Sequence, residues 1–234
     1  MGKVAIIKPG IFNGAADSRR DEFDFDNEKL LTNETPIDVV FIGDSITHAW
    51  WNLDEYFGEA GLVLNRGIGG DITAGIIHRF DADVLQLKPL YCVLLIGIND
   101  TWSLDGNEQA SIQAEPPDSV YNRIIGNYEI ILKKAQAANQ KVIICSVMPV
   151  YPFHKIRNPL VIKINNRLKA LCKEYGLIFI DYHSAVTDSE KMTLRLELAD
   201  DGLHPNALGY SIMAQKLKET ISANKIDFFM QYKK

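Results

Sequence analysis

The sequence predicts an α/β fold in three layers, αβα, built on a five-stranded parallel sheet. Three observations predict it. Short apolar runs alternate with stretches of helical periodicity along the chain. The runs are continuously apolar rather than alternating, as strands covered on both faces must be. At 234 residues and 47% hydrophobic content, the chain can bury one large core. Residues 1–234 are therefore read as a single domain, with 1–36 as a lead-in, 37–222 as the core and 223–234 as a tail.

The acidic stretch 21–28 reads as a solvated approach to the first strand. That strand, 37–42, runs into Gly43-Asp44-Ser45-Ile46-Thr47, so Ser45 leaves the tip of a buried strand on a tight turn. A second run, 62–64, leads into Asn65-Arg66-Gly67-Ile68-Gly69-Gly70-Asp71, and a third, 91–96, into Gly97-Ile98-Asn99-Asp100. Each segment lies just past the carboxyl end of a strand, where open α/β sheets gather ligands. Residues 101–119 form a long polar loop ending in Pro116-Pro117-Asp118-Ser119, with Asp118 or Ser119 as a helix N-cap. Tyr121, Ile124, Ile125, Tyr128, Ile131, Leu132 and Ala135 then recur at helical spacing. The fourth run, 142–145, opens a loop over 149–159 rich in aromatic and basic groups. A helix with Val161, Ile164, Leu168, Leu171 and Tyr175 inward stops at Gly176. The fifth run is 177–180, and a last helix over 207–222 carries Tyr210, Met213, Leu217 and Ile221.

Before that helix, Asp201-Gly202-Leu203-His204-Pro205 places a carboxylate and an imidazole three residues apart on one loop. A serine hydroxyl at its free pKa is a poor nucleophile. It needs a base within hydrogen-bond reach, and the base needs a third group to fix its tautomer. Acyl transfer also needs fixed donors for the developing oxyanion, and a glycine N–H or an asparagine amide can supply them.

Together the four blocks resemble the SGNH hydrolases, the GDSL esterase/lipase family. They run from Gly43 to Pro205, about seventy per cent of the chain. The resemblance implies a flavodoxin-like strand order, with Ser45 as nucleophile, His204 as general base and Asp201 as its orienting carboxylate. It implies an oxyanion hole made by Ser45, Gly70 and Asn99. The wording of the blocks is similar to the branch holding platelet-activating-factor acetylhydrolase α-subunits and bacterial carbohydrate acetylesterases. The expected reaction is cleavage of short acyl esters through an acyl-enzyme, above all O-acetyl groups on a carbohydrate. A lysophospholipase or thioesterase-like acylhydrolase is the alternative. Asp44, Trp102 and His154 are candidate substrate contacts.

Other classes fit less well. A net charge of -5 argues against a nucleic-acid partner. No apolar run approaches the ~20 residues of a membrane span. The N-terminal stretch lacks a cleavage site, so a cytoplasmic location is expected. Cys92, Cys145 and Cys172 read as reduced core thiols. The histidines form no metal-binding motif, so no metal or other cofactor is expected. A Gly-x-Ser-x-Gly elbow is absent because Thr47 stands at its last position. Ile72 holds the last glycine position of a dinucleotide fingerprint. A non-catalytic binding module would not need to keep all the nucleophile, base and oxyanion positions. Trp50 and Trp51 read as packing residues, Arg66 as structural, and His48, His78 and His183 as surface or interface groups. The partner expected is a small-molecule ester, and no motif specifies an oligomeric state.

Overall fold

The structure, a computed structural model, describes residues 4–57, 61–105, 113–151, 157–190 and 192–226. Its centre is a sheet of five parallel strands: β1 (Val39–Gly43), β2 (Val63–Gly67), β3 (Tyr91–Leu95), β4 (Val142–Cys145) and β5 (Ile178–Ile180). They lie in the order β2-β1-β3-β4-β5, the doubly wound arrangement of a flavodoxin-like sheet. The eight α-helices of the described residues are α1 (Arg20–Thr32), α2 (Ser45–His48), α3 (Leu53–Phe57), α4 (Thr73–Phe80), α5 (Pro117–Ala137), α6 (Arg157–Tyr175), α7 (Tyr182–Val186) and α8 (Ala207–Ala223). Right-handed crossovers put α4, α5 and α6 on one face, and α3 and α8 on the other. A small hairpin, β6 (Thr187–Asp188) with β7 (Thr193–Leu194), stands apart from the main sheet. None of the described helices is long and apolar enough to cross a membrane.

The central strands are fully buried because nothing in β1 or β4 is polar, and both faces meet helices. The inward faces of α5, α6 and α8 carry the expected residues, among them Ile124, Tyr128, Leu168, Met213 and Leu217, all buried. All three cysteines are free and buried, and burial pushes each thiol up, Cys172 to about 12. They are inert core groups.

Three elements differ from expectation. The stretch 21–28 is not a solvated approach but part of α1, which buries Phe23, Asp24 and Asn27. Its carboxylates suit a helix N-terminus. Phe23 lies under the Arg19 and Arg66 guanidinium groups, at 4.6 and 4.8 Å from its ring centre, and the Asn27 amide donates to Ala82 O. The second strand extends to Gly67 because β2 is an edge strand, where polar side chains can be satisfied. Asn65 donates to Thr47 O and accepts from Gly67 N–H, and Arg66 donates to Asp26 and Asn27. The cap of α5 is Pro116 with Pro117 at the first helical position, not Asp118 or Ser119. Asp118 instead accepts from Lys163, and Ser119 donates to Glu115.

Candidate active site

β1 ends at Gly43, and the chain turns at once into α2. The turn presses against β2 so closely that a Cβ on Gly67 would lie 2.1 Å from His48 N. Asp44 is the N-cap of α2, its Oδ1 accepting from Ile46 N–H at 3.0 Å. Ser45 therefore occupies the first helical position, whose N–H has no partner within the helix. Asp44, expected as a substrate contact, is instead only 1% exposed and faces the interior. Burial is the chief reason its carboxyl is pushed up to about 7, with the Asp71 and Asp100 charges adding to the shift.

His204, the expected base, arrives on the loop before α8. Asp201 Oδ1 accepts from the N–H groups of Leu203 and His204, at 2.9 and 2.7 Å, which folds the loop into a tight turn. Asp201 Oδ2 lies 2.6 Å from His204 Nδ1, and His204 Nε2 lies 2.8 Å from Ser45 Oγ. A carboxylate only accepts, so Nδ1 carries the proton and Nε2 is left to accept from the serine. Partial burial pushes the Asp201 carboxyl up, but the bonds from His204 and the two backbone N–H groups outweigh it, and it sits below its ordinary value. Asn206 then caps α8, accepting from Leu208 N–H and Gly209 N–H.

Gly70 stands in a turn closed by Asp71 N–H donating to Ile68 O, and it has φ +80°. Such a φ favours glycine. The closing bond uses the amide of Asp71, not that of Gly70. The Asn99 amide is gripped at both ends. Its Nδ2 donates to Asp71 O at 2.9 Å, and its Oδ1 accepts from Trp102 Nε1 at 3.1 Å. One N–H of the amide therefore remains for a ligand. Trp102, the second expected substrate contact, thus has its polar edge committed to Asn99. His154, the third, lies outside the described residues.

Three further groups, of which the sequence marked only Asp100, support this site. The Arg157 guanidinium is fully buried, lies 3.9 Å over the Trp102 ring and pairs with Asp105. Asp100 accepts from Thr73 N–H and Oγ1, tying the third loop to α4, and burial pushes its carboxyl up to about 6. Arg79 lies beneath the turns at zero exposure. The spacing of Trp102 three residues after Asn99 was the one available signal, since it suits the 3-10 helix Asn99–Leu104 that residues 101–119 open on. Of the other aromatic and basic positions, Trp50 is packed and Trp51 is 84% exposed. His48 and His78 are partly exposed, whereas His183 is buried at the start of α7 rather than on the surface.

A family model for the GDSL-like lipase/acylhydrolase family matches residues 41–212. An acetylxylan esterase of Geobacillus stearothermophilus is 25% identical over 169 residues, covering 70% of this chain and 74% of the relative. An acetylxylan esterase of Xylanibacter ruminicola is 31% identical over 226 residues; the match covers 81% of this chain but only 43% of that longer protein. A GDSL-like lipase structure from Bacteroides thetaiotaomicron superposes with a TM-score of 0.70 at 27% identity, over 87% of this chain and 97% of its own. The matched span holds Ser45, Gly70, Asn99, Asp201 and His204, and the chain accordingly belongs to the GDSL-like lipase/acylhydrolase family and is an α/β-fold ester hydrolase.

Proposed function

We propose that this esterase removes short acyl groups, chiefly acetyl, from a carbohydrate through an acyl-enzyme on Ser45. The observation that carries the reading is the bridging position of His204, 2.8 Å from Ser45 Oγ on one side and 2.6 Å from Asp201 on the other. His204 Nε2 takes the Ser45 proton as Oγ attacks the ester carbonyl, and Asp201 stabilises the imidazolium. Ser45 N–H, Gly70 N–H and the uncommitted N–H of Asn99 stabilise the oxyanion. His204 then passes its proton to the departing alcohol and activates water to release the acid. The acetyl and carbohydrate preference rests on the two acetylxylan esterase relatives, and it suits an entrance with no long apolar lid among the described residues.

Two measurements test it. A burst of p-nitrophenol from p-nitrophenyl acetate, equal to the enzyme present, and fluorophosphonate labelling of Ser45 found by mass spectrometry are expected. Labelling elsewhere would overturn the acyl-enzyme. Turnover of acetylated xylo-oligosaccharides well above that of lysophospholipids is expected, and the reverse order would overturn the substrate.

A further inference from the structure

We propose that Arg79 is a positioning residue that holds the three oxyanion donors in register from beneath the sheet's carboxyl edge. The proposal rests on the reading of Ser45, Gly70 and Asn99 given above. Arg79 projects from α4 and is entirely enclosed. Its Nε donates to Asp71 Oδ2 at 2.8 Å. Nη1 donates to Arg66 O at 2.8 Å and to Asp83 Oδ2 at 2.9 Å, and Nη2 donates to Gly43 O at 3.0 Å. One planar group thus joins the last residue of β1, the carboxyl end of β2 and the residue after Gly70.

Two of the bonds lead directly to donor segments. Gly43 is two residues before Ser45, and its carbonyl also accepts from Ile68 N–H in the glycine turn. Asp71 directly follows Gly70, and its own carbonyl accepts from the Asn99 amide. Asp71 Oδ1 is taken by Ile72 N–H, so the carboxylate is held on both sides. The segments carrying the three donors come from three different strands. Beyond the strand ends the first two are joined by one backbone bond, Ile68 N–H to Gly43 O, and the Asn99 amide joins the third through Asp71 O; the guanidinium braces the first two from below. A rigid fork suits the task, because a lysine offers a single point of charge and cannot serve four acceptors lying in different directions.

Placement matters here more than stability. A buried ion pair is weak support for a fold, since well-packed apolar groups often replace one without loss. A misplacement of about 1 Å, by contrast, can cost on the order of a hundredfold in rate. Arg79 touches neither Ser45 Oγ nor His204, so its effect must pass through the donors.

A double-mutant cycle in kcat separates this role from a purely structural one. Arg79→Lys, assayed where circular dichroism shows it fully folded, is expected to lower kcat about thirtyfold to a hundredfold with KM changed less than about threefold. In the Asn99→Ala background the same substitution is expected to cost at least about threefold less, because the amide it helps to place is gone. An undiminished factor in that background, or a loss confined to KM, overturns the proposal. Asp71→Asn, which keeps both the carbonyl and the shape, gives the same cycle if the lysine variant does not fold. Ser45→Ala reports separately on the serine reading: it must abolish turnover whatever becomes of Arg79.

Discussion

The indole N–H of Trp102 donates to the side-chain oxygen of Asn99 across 3.1 Å, so the ring expected to contact substrate instead orients the amide proposed as an oxyanion donor. Trp102→Phe keeps the ring beneath Arg157 and deletes that one bond. The expected result is a fall in kcat of about tenfold with KM nearly constant, as for loss of an interaction made in the transition state. A rise in KM with kcat unchanged would return Trp102 to the role of a ground-state substrate contact.

Ser45→Ala and His204→Ala should each lower kcat by at least about a thousandfold with the fold intact. Triad members act as a unit, so the double variant is expected to be scarcely worse than either single. Steady-state kinetics on p-nitrophenyl acetate measures all three. Losses that multiply would mean that the two residues serve separate steps.

Asp44 predicts a pH effect on stability. Its carboxyl titrates near about 7 in the fold, chiefly through burial, whereas an unfolded aspartate titrates near 3.9. Between those values the native state holds a proton that the unfolded state has released. By linkage, the contribution of this group to stability falls as pH rises from about 4 to about 7, and is flat beyond. Asparagine is an equally good N-cap and carries no charge to bury. Asp44→Asn should therefore match the parent at pH 4 and exceed it by up to a few kcal/mol at pH 8. Urea midpoints at pH 4, 6 and 8 are the measurement, and a gap between the two proteins that ignores pH would refute the account.

Acyl length offers a separate check. A pocket that sheathes an alkyl chain gains roughly 0.8 kcal/mol per buried methylene, which makes kcat/KM climb severalfold with each added carbon. Activity here is expected to peak at acetyl or propionyl esters and to decline by octanoyl. A steady climb to octanoyl would favour a lysophospholipase.

The parts of the fold that were legible in sequence are those whose surroundings are uniform. β3 and β4 meet apolar layers on both sides, so their composition alone marks them. α1 was hidden because its inward face mixes Phe23 with Asp24 and Asn27, polar groups made tolerable by Arg20 and by Ala82 O. The same contrast divides the site. Ser45, Asp201 and His204 carry chemistry in their side chains, so their blocks can be read directly. Asp44 has the same neighbours in sequence, yet its direction is set by a capping bond that only the turn geometry reveals. Arg79 could not be found at all, because two of its four partners are carbonyls of the main chain, which every residue possesses.

His204, the proposed base, stands 159 residues beyond Ser45 and is carried on the loop that leads into α8. Tyr210 of α8 stacks on Trp50 at 5.1 Å and donates to Ile46 O, and Ser211 meets Tyr56 at 2.9 Å. Docking of α8 on these groups, together with Tyr151 N–H donating to Gly202 O, holds His204 against Ser45. Because Ser45 and His204 are so far apart in sequence, their meeting depends on the tertiary fold and not on local structure. Turnover of p-nitrophenyl acetate is therefore expected to report on the docking of α8 as well as on the chemistry at Ser45.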